Sequence, residues 1–418
     1  MALPSISPAV PALDDPRTSY EGRIFFLWAA VRGGGRLGFR LAVVEAICDI
    51  ARCRTGGLGW RIYTCPEHGD EPVPNSCGRR DCPGCVGRRA FLWSAAMENL
   101  VLAGPNFHVV FTLSDVLNPY WRHNREAMAD ILFKAAAASL LGLLASPEHM
   151  GGTPTIIAVL HTHGGALVLH PHIHIIVSMA GLSPKGTLVW AKRDTLLPYR
   201  ALRRAFQMAF LDGLRRLARK PEFYLPKDTC GKDFQLLLTE LYAQPQSAWN
   251  VRVFRRNDVR RVIRYLSRTV YGGPLRNDRI VSVNRDGVVF RYQDWRQKEE
   301  GGASAPLTVC RLSLETFVAR WSEHVHEPGM HSVRHFGLLA PGKRDALDLA
   351  RAFLLQSPLP PERKVDDPPE PEPIVRCKHC QRPMTSRTMP PTQLVFSPRA
   401  LILLRARASP FSRWEAPS

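Results

Sequence analysis

The sequence lacks an apolar run long enough to cross a bilayer. Residues 132–145 form its longest apolar stretch, and Lys134 interrupts it, whereas a membrane-spanning helix needs about 20 apolar residues in succession. The first 20 residues hold four prolines and two acids and have none of the apolar core that a secretory signal carries. These absences predict a soluble, intracellular protein without a membrane partner.

Acidic residues are scarce relative to basic ones. The 418 residues include 56 lysines and arginines against 37 aspartates and glutamates, which gives a formal net charge of +19. This surplus favours a polyanionic partner, because each cation that contacts a phosphate releases condensed counterions. Nucleic acid is the leading candidate. An anionic membrane surface is the weaker one, since no basic amphipathic helix with a wide apolar face stands out.

The predicted elements lack both an internal repeat and a regular βαβ rhythm, which favours an α+β fold with an antiparallel sheet. The periodicity of apolar residues predicts strands at residues 107–113, 155–161, 168–179 and 249–255. It predicts helices at residues 20–50, 124–144, 199–217, 234–242 and 258–270. A hairpin is predicted at residues 280–292, where Arg285-Asp-Gly287 separates two apolar runs.

Ten cysteines in a chain without a secretory signal argue for metal rather than for disulfides. Two pairs of two-residue spacing, Cys65 with His68 and Cys82 with Cys85, are separated by thirteen residues. Zinc takes four such ligands in a tetrahedron, and a metal can fold a Gly- and Arg-rich segment that has few apolar residues. Which four groups bind one Zn²⁺ ion, or whether two ions are held, stays open. The candidate ligands are Cys53, Cys65, His68, Cys77, Cys82 and Cys85.

Buried free thiols are the other interpretation of this segment, but they would not require a Gly- and Arg-rich loop. A DNA-contacting finger and a solvated basic face both fit the flanking arginines. These arginines are Arg79, Arg80, Arg88 and Arg89. Far downstream, Cys377-Lys-His-Cys380 supplies half of a further metal site. Because no second pair follows it, distant residues would have to complete that site.

Three histidines recur at alternate positions in His170-Pro-His172-Ile-His174. On an extended strand all three project from one face, because successive side chains point to opposite sides of a sheet. Two imidazoles at neighbouring positions of one face can chelate a divalent cation, and His161 lies on the preceding predicted strand. The pattern predicts a divalent-metal site. His172 and His174 are its firmer pair, because Pro171 cannot donate a hydrogen bond to a neighbouring strand.

Tyr265 lies on the predicted helix 258–270, at the edge between an apolar stripe and a basic face. A tyrosine in that place ordinarily packs, but its surroundings favour a second role. Twelve arginines against four aspartates lie between residues 252 and 296. The candidate DNA-binding residues are Arg255, Arg256, Arg261, Arg264 and Arg268. The aromatic residues interleaved with them, Trp249, Phe254, Tyr271, Phe290, Tyr292 and Trp295, suit stacking on the bases of a single strand.

A His-hydrophobic-His strand, a later helical tyrosine and an N-terminal cysteine cluster together resemble the rolling-circle HUH transposases of the IS-ninety-one kind. The resemblance runs approximately from residue 25 to residue 340. The motifs that carry it are residues 76–85, 108–113, 160–164, 170–174, 264–268, 279–283 and 331–337. Their order and spacing along the chain are more specific than any one of them.

This resemblance implies a DNA transposase that cleaves and joins single-stranded DNA through a 5′-phosphotyrosine intermediate, in the rolling-circle transposition of an insertion sequence. It implies that Tyr265 is the nucleophile and that His172 and His174 hold a catalytic Mg²⁺ or Mn²⁺ ion. His161 and His170 are the candidates for the third metal ligand. The cysteine cluster corresponds to the zinc-binding domain of the family. Single-stranded DNA at the transposon ends and the target would be the partner, in the cytoplasm of a bacterium and at its nucleoid.

The sequence departs from the family pattern at two positions. Thr269 stands where many relatives carry a second tyrosine, so this chain resembles a single-tyrosine version. A second cleavage would then need Tyr265 of another subunit, in a homo-oligomer, or a water molecule. Asp81 stands where the zinc-binding segment often has histidine, which disfavours Asp81 as a ligand.

Two other functions are compatible with the same residues. A zinc-dependent DNA-binding protein without nuclease activity would have structural histidines and a packed Tyr265, and it would bind single strands without forming a covalent product. A plasmid or phage replication-initiating nickase would share the catalytic parts, although the N-terminal zinc segment disfavours it.

Composition and the resemblance together divide the chain into six parts. We expect a disordered lead (1–21), a helical and zinc-binding domain (22–100) and a nuclease domain with an HUH-type antiparallel sheet and flanking helices (101–300). A helical part of the transposase (301–356), a Pro-rich acidic linker (357–376) and a basic tail with the second cysteine pair (377–418) follow.

Overall fold

The computed structural model describes residues 22, 24–25, 28, 38–194, 196–226, 233–244, 249–294, 305–360 and 374–391. Residues 22, 24–25 and 28 are helical. From residue 38 onward the helices are α1 (Leu41–Arg52), α2 (Val86–Leu100), α3 (Asn118–His123), α4 (Arg125–Leu144), α5 (Tyr199–Leu217), α6 (Phe234–Ala243), α7 (Arg260–Val270), α8 (Leu314–Ser322) and α9 (Arg344–Phe353). The strands are β1 (Trp60–Cys65), β2 (Gly69–Pro74), β3 (Asn106–Thr112), β4 (Thr153–His163), β5 (Leu169–Leu182), β6 (Leu188–Trp190), β7 (Val251–Arg256), β8 (Ile280–Asn284), β9 (Gly287–Gln293), β10 (Leu307–Leu312), β11 (Val333–Gly337) and β12 (Thr385–Met389).

The largest sheet is antiparallel, with the strand order β11-β4-β5-β3-β7 and with β6 paired to β5. Its two longest strands, β4 and β5, are rich in isoleucine and valine, residues that pack well on a pleated surface. Alternation divides their side chains between two faces. On β4, for example, Ile156 and Ala158 belong to one core cluster while Ile157 and Val159 belong to another.

One face of this sheet is covered by α4, α5 and α6, which bury a large apolar core. Phe111 of β3 packs against Phe206 of α5, and Trp249 packs against both Phe206 and Phe210. By length and composition, α4 is the one helix of the described residues that would be apolar enough to cross a membrane, yet more than half of it is buried in the protein. It is therefore the central helix of this core.

The other face of the sheet carries α2 and α7. Ile263 and Leu266 of α7 are fully buried against Ile157 and Ile176 of the sheet. Burying an apolar side chain of this size contributes about 1.5–3 kcal/mol, which fixes α7 on the sheet by its apolar stripe. The arginines of α7 consequently face solvent.

Two smaller antiparallel sheets complete the described structure. The sheet β10-β9-β8 packs with α8 and α1 around a second core that includes Phe290, Phe317 and Trp321. The sheet β12-β1-β2 joins the hairpin of residues 60–74 to a strand near the end of the chain.

The predicted α+β class with an antiparallel sheet and flanking helices is confirmed, and the predicted strands of the main sheet are present. The helix predicted at residues 20–50 is wrong in extent, because residues 38–40 are not helical and α1 continues to Arg52. Residues 301–356, expected to be helical, also form β10 and β11. The predicted lead (1–21), most of the linker (361–373) and most of the tail (392–418) lie outside the described residues.

A three-histidine centre, a helical tyrosine and two cysteine clusters

His161, His172 and His174 lie together, with one ring nitrogen of each within 4.8 Å of the others. Strand pairing explains this, because β4 and β5 place His161 directly opposite His172. All three project from the face that carries α7, as period-two alternation requires. His170 does not join them. Its Nδ1 instead lies 3.4 Å from a carboxylate oxygen of Asp115.

The hydrogen bonds around these rings leave one nitrogen of each for a ligand. His172 Nδ1 lies 2.7 Å from the backbone oxygen of His170, and His174 Nδ1 lies 2.8 Å from His108 Nε2. The Nε2 atoms of His161 and His174 are buried and have no hydrogen-bond partner. A buried polar atom without a partner is costly, and a divalent cation would satisfy both of these nitrogens with His172 beside them, so the three residues fit a metal.

Burial lowers the pKa of every imidazole in this group. The pKa of His172 falls to about 3, that of His108 falls to about 4, and those of His161 and His174 fall well below the ordinary value, mainly because burial disfavours the charged ring. Neighbouring imidazoles lower the pKa values of His161 and His174 further. The rings are therefore neutral at pH 7, which is the form that binds metals.

Tyr265 lies beside this centre, on α7. Its ring centroid is 6.0 Å from that of His174 and 6.3 Å from that of His161. The residue as a whole is 56% exposed, and the apolar stripe of α7 anchors the helix beneath it. Although part of the side chain is exposed, burial around the phenol group raises the pKa of Tyr265, and the positive charge of Arg279 opposes this shift.

A cleft of about 480 Å³ opens next to the tyrosine. It is lined by His108, Arg255, Arg256, Asn257, Asp258, Arg261, Val262 and Tyr265. Of the predicted DNA-binding arginines, three line this cleft and Arg255 is also paired with Asp194. The other two are exposed on α7, where Arg264 Nε lies 3.8 Å from a carboxylate oxygen of Glu98.

The aromatic residues of this region divide into two groups. Trp249 and Phe290 are 2% and 0% exposed and belong to the two apolar cores, so the prediction that they stack on bases is wrong. Phe254 is 39% exposed, and the guanidinium of Arg256 lies 5.1 Å from the centre of its ring. Trp295 lies outside the described residues. Phe254 thus retains a surface next to the cleft.

The six predicted zinc ligands separate into two clusters. Cys53, Cys77, Cys82 and Cys85 offer sulfurs that all lie within 4.8 Å of one another. The Sγ atoms of Cys53 and Cys77 lie 3.5 and 3.6 Å from that of Cys85. A tetrahedron with Zn–S bonds of about 2.3 Å has edges of about 3.8 Å, so the four sulfurs fit one Zn²⁺ ion.

Cys65 and His68 do not contribute to that tetrahedron. They lie instead with Cys377 and Cys380, the pair that the sequence leaves without a partner. Asp81 is buried but is not part of either cluster.

The arginines that flank the cysteines are largely engaged within the protein. Arg79 is paired with Asp49 of α1, Arg80 donates to Ser332 Oγ, and Arg89 donates to a backbone oxygen. The finger interpretation therefore has little support from Arg79 and Arg80, whose charged groups hold the cluster against its neighbours.

Two residues of the site were not predicted from the sequence. His108 lies on β3, one strand away from His174, and its place within the motif 108–113 was the available signal. Arg279 ends the 3-10 turn Asn277–Arg279, and its charge acts on Tyr265. Neither role follows from local spacing, because both depend on how distant strands and turns meet.

Residues 155–346 match a family model described as "Putative transposase", and residues 36–113 match one described as "Transposase zinc-binding domain". The sheet with its histidines and the cysteine cluster are thus parts of a transposase, a DNA-processing enzyme with a zinc-binding domain. A "Putative transposase y4qJ" of Sinorhizobium fredii is 31% identical over 295 residues, which cover 69% of this chain and 72% of that protein.

A "Transposase for insertion sequence element IS801" of Pseudomonas savastanoi pv. phaseolicola is 28% identical over 323 residues, which cover 75% of this chain and 73% of that protein. The chain belongs to the IS91-type family of insertion-sequence transposases. No solved structure matches it.

Proposed function

We propose that this transposase cleaves and rejoins single-stranded DNA with Tyr265 as its nucleophile, in the rolling-circle transposition of an insertion sequence. The observation that carries the proposal is the position of Tyr265. Its ring lies 6.0 Å from that of His174, and the residue, which is 56% exposed, lines a cleft together with three arginines. A tyrosine with only a packing role would be expected to be buried, so the exposure of Tyr265 disfavours the alternative in which this residue merely packs.

His161, His172 and His174 are the proposed ligands of a divalent cation, Mg²⁺ or Mn²⁺. When bound, such an ion polarises a phosphodiester and stabilises the charge that develops on it. His108 is a positioning residue in this scheme, because its contact with His174 Nδ1 at 2.8 Å fixes the orientation of that ring.

The reaction is a transesterification at phosphorus. Tyr265 loses its phenol proton to water, its oxygen bonds to the phosphorus while the bond to the 3′ oxygen breaks, and the departing 3′ oxygen takes up a proton from water. The products are a 5′-phosphotyrosine and a free 3′-hydroxyl, so the number of phosphoester bonds is unchanged and rejoining needs no ATP. Arg279 supports the phenolate, because its positive charge opposes the rise that burial causes in the pKa of Tyr265.

The arginines of the cleft are proposed to hold the phosphates of the strand. Arg255, Arg256 and Arg261 line the cleft together with Tyr265, and the partly exposed Phe254 offers a stacking surface beside them. With Thr269 one turn after Tyr265, the second cleavage requires Tyr265 of another subunit or a water molecule. We propose the homo-oligomer, acting at the nucleoid in the bacterial cytoplasm.

Incubation of the full chain with labelled single-stranded oligonucleotides of the transposon ends and Mn²⁺ tests this proposal. Denaturing gels are expected to show a covalent protein–DNA adduct with the wild type and none with Tyr265→Phe, which loses only the attacking oxygen and keeps its binding. Tyr271→Phe, one residue beyond the same helix, is the matched control and is expected to form adduct. Adduct formation by Tyr265→Phe would overturn the assignment and direct attention to Tyr271.

A further inference from the structure

The second cluster is built from two segments that are far apart in the sequence. Cys65 and His68 lie at the turn between β1 and β2, whereas Cys377 and Cys380 lie just before β12. One ligand atom of each residue lies within 4.8 Å of the others. The family matches end at residue 346, so half of this cluster lies beyond both matched regions.

The distances in this cluster agree with tetrahedral zinc. Cys65 Sγ lies 3.6 Å from Cys380 Sγ and 3.6 Å from His68 Nδ1, and Cys377 Sγ lies 3.7 Å from His68 Nδ1. With Zn–S bonds of about 2.3 Å and Zn–N bonds of about 2.0–2.1 Å, tetrahedral angles give S–S edges of about 3.8 Å and S–N edges of about 3.6 Å. The four groups therefore surround one point at bonding distance.

The sheet that carries these ligands has almost no apolar interior. Every residue of β12 is exposed, and β2 has no buried residue. In β1 only Ile62 and Cys65 are buried. A sheet of three short strands normally needs an apolar face to be stable, so strand pairing alone does not account for the position of β12.

Ion pairs across the same junction are present but weak. Arg387 pairs with Asp70 at 2.7 Å, and Lys378 pairs with Glu71 at 3.1 Å. All four side chains are more than two-fifths exposed, and exposed pairs contribute little because water and salt screen them. A structural zinc ion, in contrast, supplies folding free energy directly.

We propose that Cys65, His68, Cys377 and Cys380 bind a second structural Zn²⁺ ion, which fastens the C-terminal segment to the zinc-binding domain. This clasp site is distinct from the ion at Cys53, Cys77, Cys82 and Cys85, and it does not depend on the proposed nuclease chemistry.

Zinc content of the full-length protein is the first test. Cys377→Ser combined with Cys380→Ser is expected to lower the zinc bound per chain by one ion relative to the wild type. Elemental analysis after dialysis against metal-free buffer measures this. Cys310→Ser is the matched control, because Cys310 lies on β10 outside both clusters, and it is expected to keep the wild-type content. Equal zinc in the double variant and the control would overturn the proposal.

A second test of the clasp site does not require the double variant to fold. A protease recognition sequence placed within residues 361–373 allows the folded wild-type chain to be cut after purification. The fragment that begins near residue 374 is expected to co-elute with the remainder in gel filtration when zinc is present, and to separate when the same chain carries Cys380→Ser. Separation of the wild-type fragment in the presence of zinc would contradict the clasp.

Discussion

The histidine centre and the cysteine clusters hold metal-type ligands in opposite structural settings. The histidines lie on β4 and β5, long strands with apolar residues on both faces, so the register that brings His161 opposite His172 is fixed by hydrophobic packing. The cysteines lie in turns and short strands, many of whose residues are exposed. The first setting is formed by the core, whereas we expect the second to depend on its ion in order to fold.

The two cysteine clusters also differ from each other in how much apolar packing surrounds their ligands. Cys53 and Cys82 are buried in the core that α1 forms with α8 and β9, so that cluster is partly supported by apolar contacts. At the clasp site, the described residues 60–74 and 374–391 bury only Ile62 and the two ligands Cys65 and Cys377. Dependence on metal should therefore increase from the histidine centre, through the inner cluster, to the clasp.

The largest effects are expected from removing proposed metal ligands, either at the histidine centre or at the inner cysteine cluster. His172→Ala with His174→Ala is expected to abolish metal-dependent cleavage but to leave the thermal unfolding transition close to that of the wild type, because the sheet is held by its two cores. Cys53→Ser with Cys85→Ser is expected to unfold the zinc-binding region, since structural zinc ions contribute apparent binding free energies of about 10–16 kcal/mol.

Cleavage assays and calorimetry, each with and without EDTA, separate these outcomes. EDTA should stop cleavage by the wild type. Cleavage that persisted in the histidine variant or in EDTA would contradict a metal at the histidines. A cysteine variant as stable as the wild type would contradict the expectation that the cysteine cluster depends more on its ion than the histidine centre does.

A smaller effect is expected at His108, which contacts the proposed metal ligand His174. His108→Ala removes the partner of His174 Nδ1, and losing such a partner typically weakens metal affinity by about 10–100-fold. The Mn²⁺ concentration for half-maximal cleavage should rise accordingly, while the rate at saturating Mn²⁺ should largely recover. His331→Ala, at an exposed position, is the control and should leave the metal dependence unchanged. A loss of rate that saturating Mn²⁺ did not restore would mean that His108 does more than position its neighbour.

Much of the histidine centre could be predicted from the sequence because it follows from local periodicity. Alternation within residues 170–174 placed His172 and His174 on one face, and helical spacing placed Tyr265 at the edge of the stripe on α7. Local periodicity could not decide whether His161 or His170 is the third histidine of the centre. It depends on the register between β4 and β5, which is a tertiary property.

The grouping of the cysteines into two clusters could not be predicted from the sequence, because it too depends on tertiary structure. Spacing identified the six candidate ligands, but the way they divide depends on the β1–β2 hairpin, which directs Cys65 and His68 away from Cys82 and Cys85. Their actual partners lie more than 300 residues later, in Cys377 and Cys380. Composition also could not tell that Trp249 faces the core while Phe254, five residues on, faces solvent.

The smallest expected effect concerns the arginines on the tyrosine face of the sheet. Arg261 lines the cleft next to Tyr265, and removing one phosphate contact is expected to weaken binding to all sequences about equally and to reduce the slope of log K against log salt by about 1. Arg215→Ala is the matched control, because Arg215 lies on α5, which covers the opposite face. Fluorescence anisotropy with a single-stranded oligonucleotide across a salt series measures both slopes. If Arg261→Ala and Arg215→Ala gave the same slope, the strand would not follow the cleft, and the exposure of Tyr265 would need another explanation than access for DNA.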